Sequence, residues 1–253
     1  MRGRYKVSFF GFIIVLFSTV LNAEPLPKSP YPGSVNWFLA YPQAEQYFEV
    51  SKVLLGESDS HAQLEEIIAF WKGKQANAKT DKAFIQQLFY QLHRKNLRTY
   101  REFTSLSSLL NYGEYNCLSA SAFYGIILQE LGYKVRFLET KKHICLLVTN
   151  SANEHILLEA TDPLFGFIAE KEAINLKIKQ LYASSSPLMQ TSTNARVFQV
   201  INFKQLVGLT YYNQAAWQAN HGNIKAAQQL LQLGEQWYPT HRFRSTRNLL
   251  AQR

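Results

Sequence analysis

Three residues in the middle of the chain have the types and order that nucleophilic acyl chemistry needs: Cys117, His143 and Glu159. A thiol attacks a carbonyl as the thiolate, so it needs a base to take its proton and a further group to orient that base. After Cys117 the chain reads LSASAFYGIILQELGY. Here Ala120, Phe123, Tyr124, Ile127, Leu128 and Leu131 recur at intervals of three and four and define one apolar helical face. Gly132 supplies a stop, because glycine readily takes the left-handed conformation that follows a helix end. Upstream, SLSSLLNYGEYN contains Asn111, Gly113 and Asn116 and predicts a turn just before Cys117. The sulfur is thus expected at a helix N-terminus, where free backbone N–H groups and the helix dipole favour an anion.

A base must come from the elements that follow. KVRFLETKKHICLLV reads as two strands interrupted at Glu139-Thr140-Lys141-Lys142; His143 opens the second and shares a face with Cys145 and Leu147. EHILLEAT reads as a third strand after a turn at Asn150-Ser151-Ala152-Asn153. A hairpin of the last two strands returns Glu159 or Asp162 to the level of His143, where a carboxylate can accept from the second ring nitrogen. His155, on the paired strand, is a competing base. Glu139 and Glu154 read as surface residues, and Lys141 and Lys142 as a solvated strand entrance. Cys145 competes differently: on the His143 face it comes near Cys117, and a disulfide between the two would silence the nucleophile.

In this order, Cys on a helix, His on a strand and acid-x-Thr on the next strand, the chain resembles the transglutaminase-like superfamily, whose core is related to papain-type cysteine proteases. YNCLSASAFYGIILQELGYKV is similar to that family's helix and HICLLV to its His strand. Glu159-Ala160-Thr161 stands where the family usually has Asp-x-Thr, and the similarity runs from Phe84 to Phe167. The resemblance implies a Cys-His-Glu triad of Cys117, His143 and Glu159, with Asp162 in reserve. It also implies acyl transfer through a thioester on an amide or peptide bond, a protein or peptide substrate, and no cofactor or metal. The chain departs from the family pattern at Leu118 and Ile144, where many members carry aromatic residues, and at Glu159, one methylene longer than aspartate.

The N-terminus, MRGRYKVS followed by FFGFIIVLFSTVL, resembles a secretory signal peptide cut after Ala23. Its apolar run is shorter than the roughly twenty residues a membrane span needs. A periplasmic or secreted protein with no membrane span after signal removal is therefore expected. Removing Arg2, Arg4 and Lys6 takes the 27 basic residues to 24 against 18 acidic ones, turning a net charge of +9 into +6. The basic runs HRKNLR (93–98) and HRFRSTR (241–247) carry no nucleic-acid-binding motif and read as solvated helix faces; no nucleic-acid partner is expected.

EPLPKSPYPGS (24–34) reads as an extended leader, and helical periodicity appears over 42–55, 61–71 and 81–97. In the last of these Phe84, Leu88, Phe89 and Leu92 face inward and Asp81 reads as the N-cap. A helix is expected over 169–182, and no chemistry is assigned to 167–196. VGLTYYNQAAWQANHGNIKAAQQLLQLGEQWYPT resembles one tetratricopeptide repeat, with Ala215, Gly222, Ala227, Leu231 and Pro239 at its small, turn, small, apolar and Pro positions. A single repeat must dock on the core or on a partner, and 241–253 reads as a capping helix.

The expected fold class is α+β: a papain/transglutaminase-like core, a helix packed on an antiparallel sheet, with extra N-terminal helices and a C-terminal helical hairpin. The expected boundaries are 1–23 signal peptide, 24–80 leader and helical layer, 81–196 core and 197–253 hairpin. The rival to an enzyme is an inactive exported binding or scaffold protein that uses the hairpin for partner contact.

Overall fold

The computed structural model describes Leu54, residues 60–184 and residues 198–252. The expected signal peptide, Pro-rich leader, first helix and Ser/Thr-rich loop at 185–197 lie outside the described residues. The described elements are α1 (Ser60–Gln75), α2 (Asp81–Asn96), β1 (Thr99–Tyr100), α3 (Leu106–Tyr112), β2 (Glu114–Tyr115) and α4 (Cys117–Glu130). Then come β3 (Lys134–Thr140), β4 (Ile144–Thr149), β5 (His155–Leu158), β6 (Phe167–Ile168), α5 (Lys171–Ser184), β7 (Phe198–Ile201), α6 (Phe203–Asn220), α7 (Ile224–Trp237) and α8 (His241–Ala251). The chain is α+β, with eight helices and an antiparallel five-stranded sheet among the described residues.

The sheet order is β6-β5-β4-β3-β7, and β1 and β2 form a separate parallel pair just ahead of α4. Both faces of the sheet are covered, which is why ICLLVT reads as an unbroken apolar run. Ile144, Leu146 and Val148 point to the main core, whereas Cys145 and Leu147 point to a smaller cluster with Leu138, Leu157, Ile174 and Ile178. The period-two alternation of side chains makes this division. Helix α5 therefore covers one face through Ile174 and Ile178 and α4 the other. Strand β7 is the outer neighbour of β3, so the sheet extends past residue 197 into the C-terminal segment.

Helix α4 is not amphipathic in place, contrary to the single apolar face read from its spacing. Every residue from Leu118 to Leu128 is buried, because the sheet lies on one side and α1, α3 and α6 pack around the others. Tyr124 stacks on Phe89 of α2 with 5.3 Å between centroids and donates its hydroxyl proton to the Phe89 carbonyl at 2.9 Å. Gly125 gives the ring of Phe137 room: a Cβ there would lie 2.6 Å from it.

Four surface or cap readings are corrected by the contacts these residues make. Thr80 caps α2, its side chain accepting from Ala83 N–H. Asp81 instead receives Ser151 N–H, Ser151 Oγ–H and the Tyr133 hydroxyl, tying the β4–β5 turn to α2. Glu139 is 2 % exposed, not a surface residue, since β3 is an interior strand flanked by the C-terminal helices. Its carboxylate accepts from Tyr238 at 2.6 Å and Arg242 at 2.5 Å. Arg242 thus leaves the solvated face assigned to 241–247, and Arg244 and Arg247 pair with Glu235. In the other basic run His93 is buried against Phe89 and Tyr115, and burial depresses its proton affinity.

The C-terminal hairpin turns at Gly222 (φ 79°), with Ala215 and Ala227 fully buried between α6 and α7. Helix α8 follows the turn at Pro239 and inserts Phe243 between the two. The hairpin docks on the core through Phe203 against Phe137 (4.8 Å between centroids) and through the Glu139 contacts.

Candidate active site

Cys117 is the first residue of α4, placed there by a reciprocal cap. The Asn116 Oδ1 accepts from Ser119 N–H at 2.8 Å, and Ser119 Oγ accepts from Asn116 N–H at 3.0 Å. Asn116 Nδ2 also donates to the Glu102 carbonyl at 2.9 Å, which anchors the approach to the helix. An α-helix leaves its first N–H groups without internal acceptors. With Ser119 capped and Ala120 bonded to the Asn116 carbonyl, those of Cys117 and Leu118 are the ones that remain for a ligand.

His143 sits one residue before β4, in a tight turn rather than inside the strand. Its N–H donates to Thr140 Oγ1 at 3.0 Å, and the same hydroxyl donates to its carbonyl at 3.1 Å, so the backbone beneath the ring is held on both sides. The second turn of α4 reaches the neighbouring position, where Ser121 Oγ donates to the Ile144 carbonyl at 3.4 Å. Glu159 follows the last residue of β5. Because β5 runs antiparallel to β4, its end returns beside the start of β4.

These placements bring Cys117, His143 and Glu159 together. His143 Nε2 lies 3.0 Å from Glu159 Oε1 and 2.9 Å from Oε2. The Cys117 sulfur is close enough to the same ring to favour its protonated form, and with Nε2 taken by the carboxylate Nδ1 is the nitrogen left for it. Burial works against a charged His143, but its hydrogen bonds to Cys117 and Glu159 and their charges outweigh it, raising its pKa to about 9. Glu159 shows the converse balance. Burial favours its neutral form, yet the hydrogen bond and charge of His143, helped by Lys177, hold the carboxyl below its ordinary value.

No family model, curated protein or solved structure matches the chain. What the arrangement can do follows from its own geometry: a sulfur at a helix start, an imidazole beside it, and a carboxylate that holds the ring.

The competing residues go elsewhere. Asp162 Oδ1 accepts from Leu164 and Phe165 N–H at 3.0 and 2.9 Å, closing the loop after β5. His155 is at the far end of the β4–β5 hairpin, its Nδ1 on Thr149 Oγ1 at 3.1 Å. Cys145 is a free thiol, as is Cys117. The expected shared face does not bring the two sulfurs into a bridge, because Cys145 faces the cluster under α5 while Cys117 packs with the core around α4. Burial pushes the Cys145 thiol well up, with the Glu159 carboxylate adding to it.

Two site residues escape sequence reasoning. Lys177 of α5, inside the segment given no chemistry, has its Nζ 3.3 Å from Glu159 Oε2. Tyr100, an exposed phenol in β1, stands close enough to Cys117 that, after burial, the sulfur's charge raises its pKa. Lys177 lies between Ile174 and Ile178, so helical spacing could have placed it at the border of a buried stripe; nothing could have named its partner. Among the described residues no cluster of His, Cys, Asp or Glu is arranged for a metal, and no helix is long and apolar enough to cross a membrane.

Proposed function

We propose that the protein is an exported cysteine acyltransferase or hydrolase of transglutaminase-like type, acting on an amide or peptide bond. The Cys117 sulfur, its proton passed to His143, attacks the carbonyl carbon. The backbone N–H of Cys117 helps hold the oxyanion. The tetrahedral intermediate collapses with cleavage of the C–N bond as His143 returns its proton to the leaving amine, leaving a thioester on Cys117. Water or a second amine then attacks the thioester carbonyl, loses a proton to His143 and regenerates the thiol. Glu159 stays ionised and orients the imidazole throughout.

The observation that carries this reading is the His143 ring, held by both oxygens of Glu159 and close enough to Cys117 for the sulfur to favour its protonated form. The helix start at Cys117 and the order of the three residues, which agrees with the family resemblance, support it. The periplasmic or secreted location rests on the N-terminal leader alone. Iodoacetamide labelling across pH tests the reading. Fast alkylation of Cys117 well below the ordinary thiol range of about 8.5, lost in His143→Ala, is expected; slow alkylation in both would sink it. Thioester adducts trapped from envelope extracts, with Cys117→Ser as control, would then identify the substrate.

One feature favours a second reading, a binding protein. A groove of about 310 Å³ lies between the segment Phe103–Ser108 and the hairpin residues Asn213, Gln214, Trp217, Gln218 and Leu230. A partner held there without turnover would bind equally well to Cys117→Ala, and binding lost on Trp217→Ala would support this role.

A further inference from the structure

We infer that Lys177 is a positioning residue of the site: its ammonium holds the Glu159 carboxylate in place behind His143 and lets glutamate serve where a shorter acid would be the simpler choice. This rests on the acyl-transfer reading above. A glutamate has one more rotatable bond than aspartate and loses more freedom when held in a single geometry. Both Glu159 oxygens are nonetheless directed at one ring nitrogen, at 3.0 and 2.9 Å, and the side chain is 8 % exposed. Something must restrain it from the side away from His143.

The restraint comes from two elements. Leu146 pairs with Leu158 and Leu147 with Leu157; one step further in that register, Cys145 stands opposite Glu159. Its buried thiol, kept protonated by burial and by the neighbouring carboxylate, packs beside Glu159. Above them α5 seats Ile174 and Ile178 in the cluster that contains Cys145, and this delivers Lys177 to Oε2 at 3.3 Å. The Lys177 side chain is 28 % exposed, its stem lying along the apolar face and its head at the carboxylate. The groups facing Glu159 are thus His143, Cys145 and Lys177.

The charges also balance. A Cys117 thiolate, a protonated His143 and the Glu159 carboxylate carry a net negative charge in a largely buried site, and Lys177 cancels it. Without Lys177 the carboxylate takes up a proton at higher pH and swings more freely, and the imidazole loses its fixed orientation. Misplacing a reacting group by about 1 Å can cost up to ~100-fold in rate.

The test compares wild type, Lys177→Met, Lys177→Arg and His143→Ala in the full chain, by the pH profile of Cys117 alkylation with iodoacetamide and by carbon NMR titration of the Glu159 carboxyl. For Lys177→Met we expect alkylation slowed by roughly tenfold, its acid limb moved to higher pH and the Glu159 titration moved the same way; Lys177→Arg restores all three. If Lys177→Met matches wild type while His143→Ala abolishes fast alkylation, Lys177 is only an ion pair and the inference is overturned. If His143→Ala leaves alkylation unchanged, the acyl-transfer reading fails instead. The Glu159 titration then decides alone: an upward move in Lys177→Met that Lys177→Arg reverses upholds the positioning contact, and no move removes it.

Discussion

Glu139 and Arg242 are 103 positions apart in sequence and 2.5 Å apart in space, joining interior strand β3 of the sheet to helix α8. Tyr238 completes the contact, donating to the same carboxylate at 2.6 Å. Replacing Arg242 with alanine leaves that carboxylate buried with one cation fewer. The expected loss is about 3 kcal/mol, toward the lower end for breaking a buried pair, because Arg242 itself is partly exposed. Urea unfolding of Arg242→Ala against wild type measures it.

Stability should peak in mildly acidic solution. His143 is raised from 6.5 to about 9, so the folded state holds its proton more tightly; that stabilisation is complete below 6.5 and is lost as pH rises through about 9. Glu159 is lowered from 4.5, so its contribution is present above 4.5 and is lost as pH falls through its folded value. The two together give a plateau between 4.5 and 6.5. Denaturation midpoints in His143→Gln should lose the alkaline decline and, because His143 also holds the Glu159 carboxyl down, most of the acid one.

The two thiols should separate cleanly by reactivity. Cys145 has no exposed surface, whereas Cys117 is partly accessible. Native protein should therefore take one equivalent of iodoacetamide, at Cys117, and a second only after unfolding. Peptide mapping by mass spectrometry reads both sites, and native labelling of Cys145 would contradict this arrangement.

Gly166 controls the position of Glu159 through the backbone. The Glu159 N–H donates to the Gly166 carbonyl at 2.8 Å, and a Cβ at 166 would run into the carbonyl oxygens of Glu159 and Asp162 and lie 2.7 Å from the Phe89 ring. Backbone cannot yield as a flexible side chain can. Gly166→Ala should lower stability by about 1–3 kcal/mol and slow Cys117 alkylation, measured by thermal unfolding and by probe kinetics.

Two helical glycines should respond in opposite directions to alanine. Gly125→Ala pushes a methyl into Phe137 at 2.6 Å and Phe203 at 3.2 Å, an overpacking cost of about 1–3 kcal/mol. At exposed Gly73 of α1 nothing lies within 4 Å, so Gly73→Ala should gain about 0.5–1 kcal/mol. Melting temperatures of the pair check both signs.

Much of the local structure is legible in the chain. Asn116-Cys117 before an apolar run marks the start of α4, Gly132 (φ 87°) marks its end, and the turn at 150–153 marks the β4–β5 hairpin. The spacing of Phe84, Leu88, Phe89 and Leu92 reports the buried side of α2. Each is a short-range signal, written in residues within a turn or two of each other. The amphipathic reading of α4 failed because periodicity reports where apolar residues recur, and Ser119, Ser121 and Gly125 are buried without being apolar.

By itself, then, the sequence determined the order of α2, α4, β3 to β5 and the C-terminal helices, and the three residue types that chemistry would need, because capping, turn geometry and side-chain alternation act over a few residues. Only the tertiary structure brought Glu159 rather than Asp162 to His143, turned Cys145 away from Cys117, buried Glu139 and brought Lys177 to the carboxylate. Those outcomes depend on strand register and on which helix covers which face of the sheet. Such choices are made by packing between distant segments, and no local pattern of residues records them.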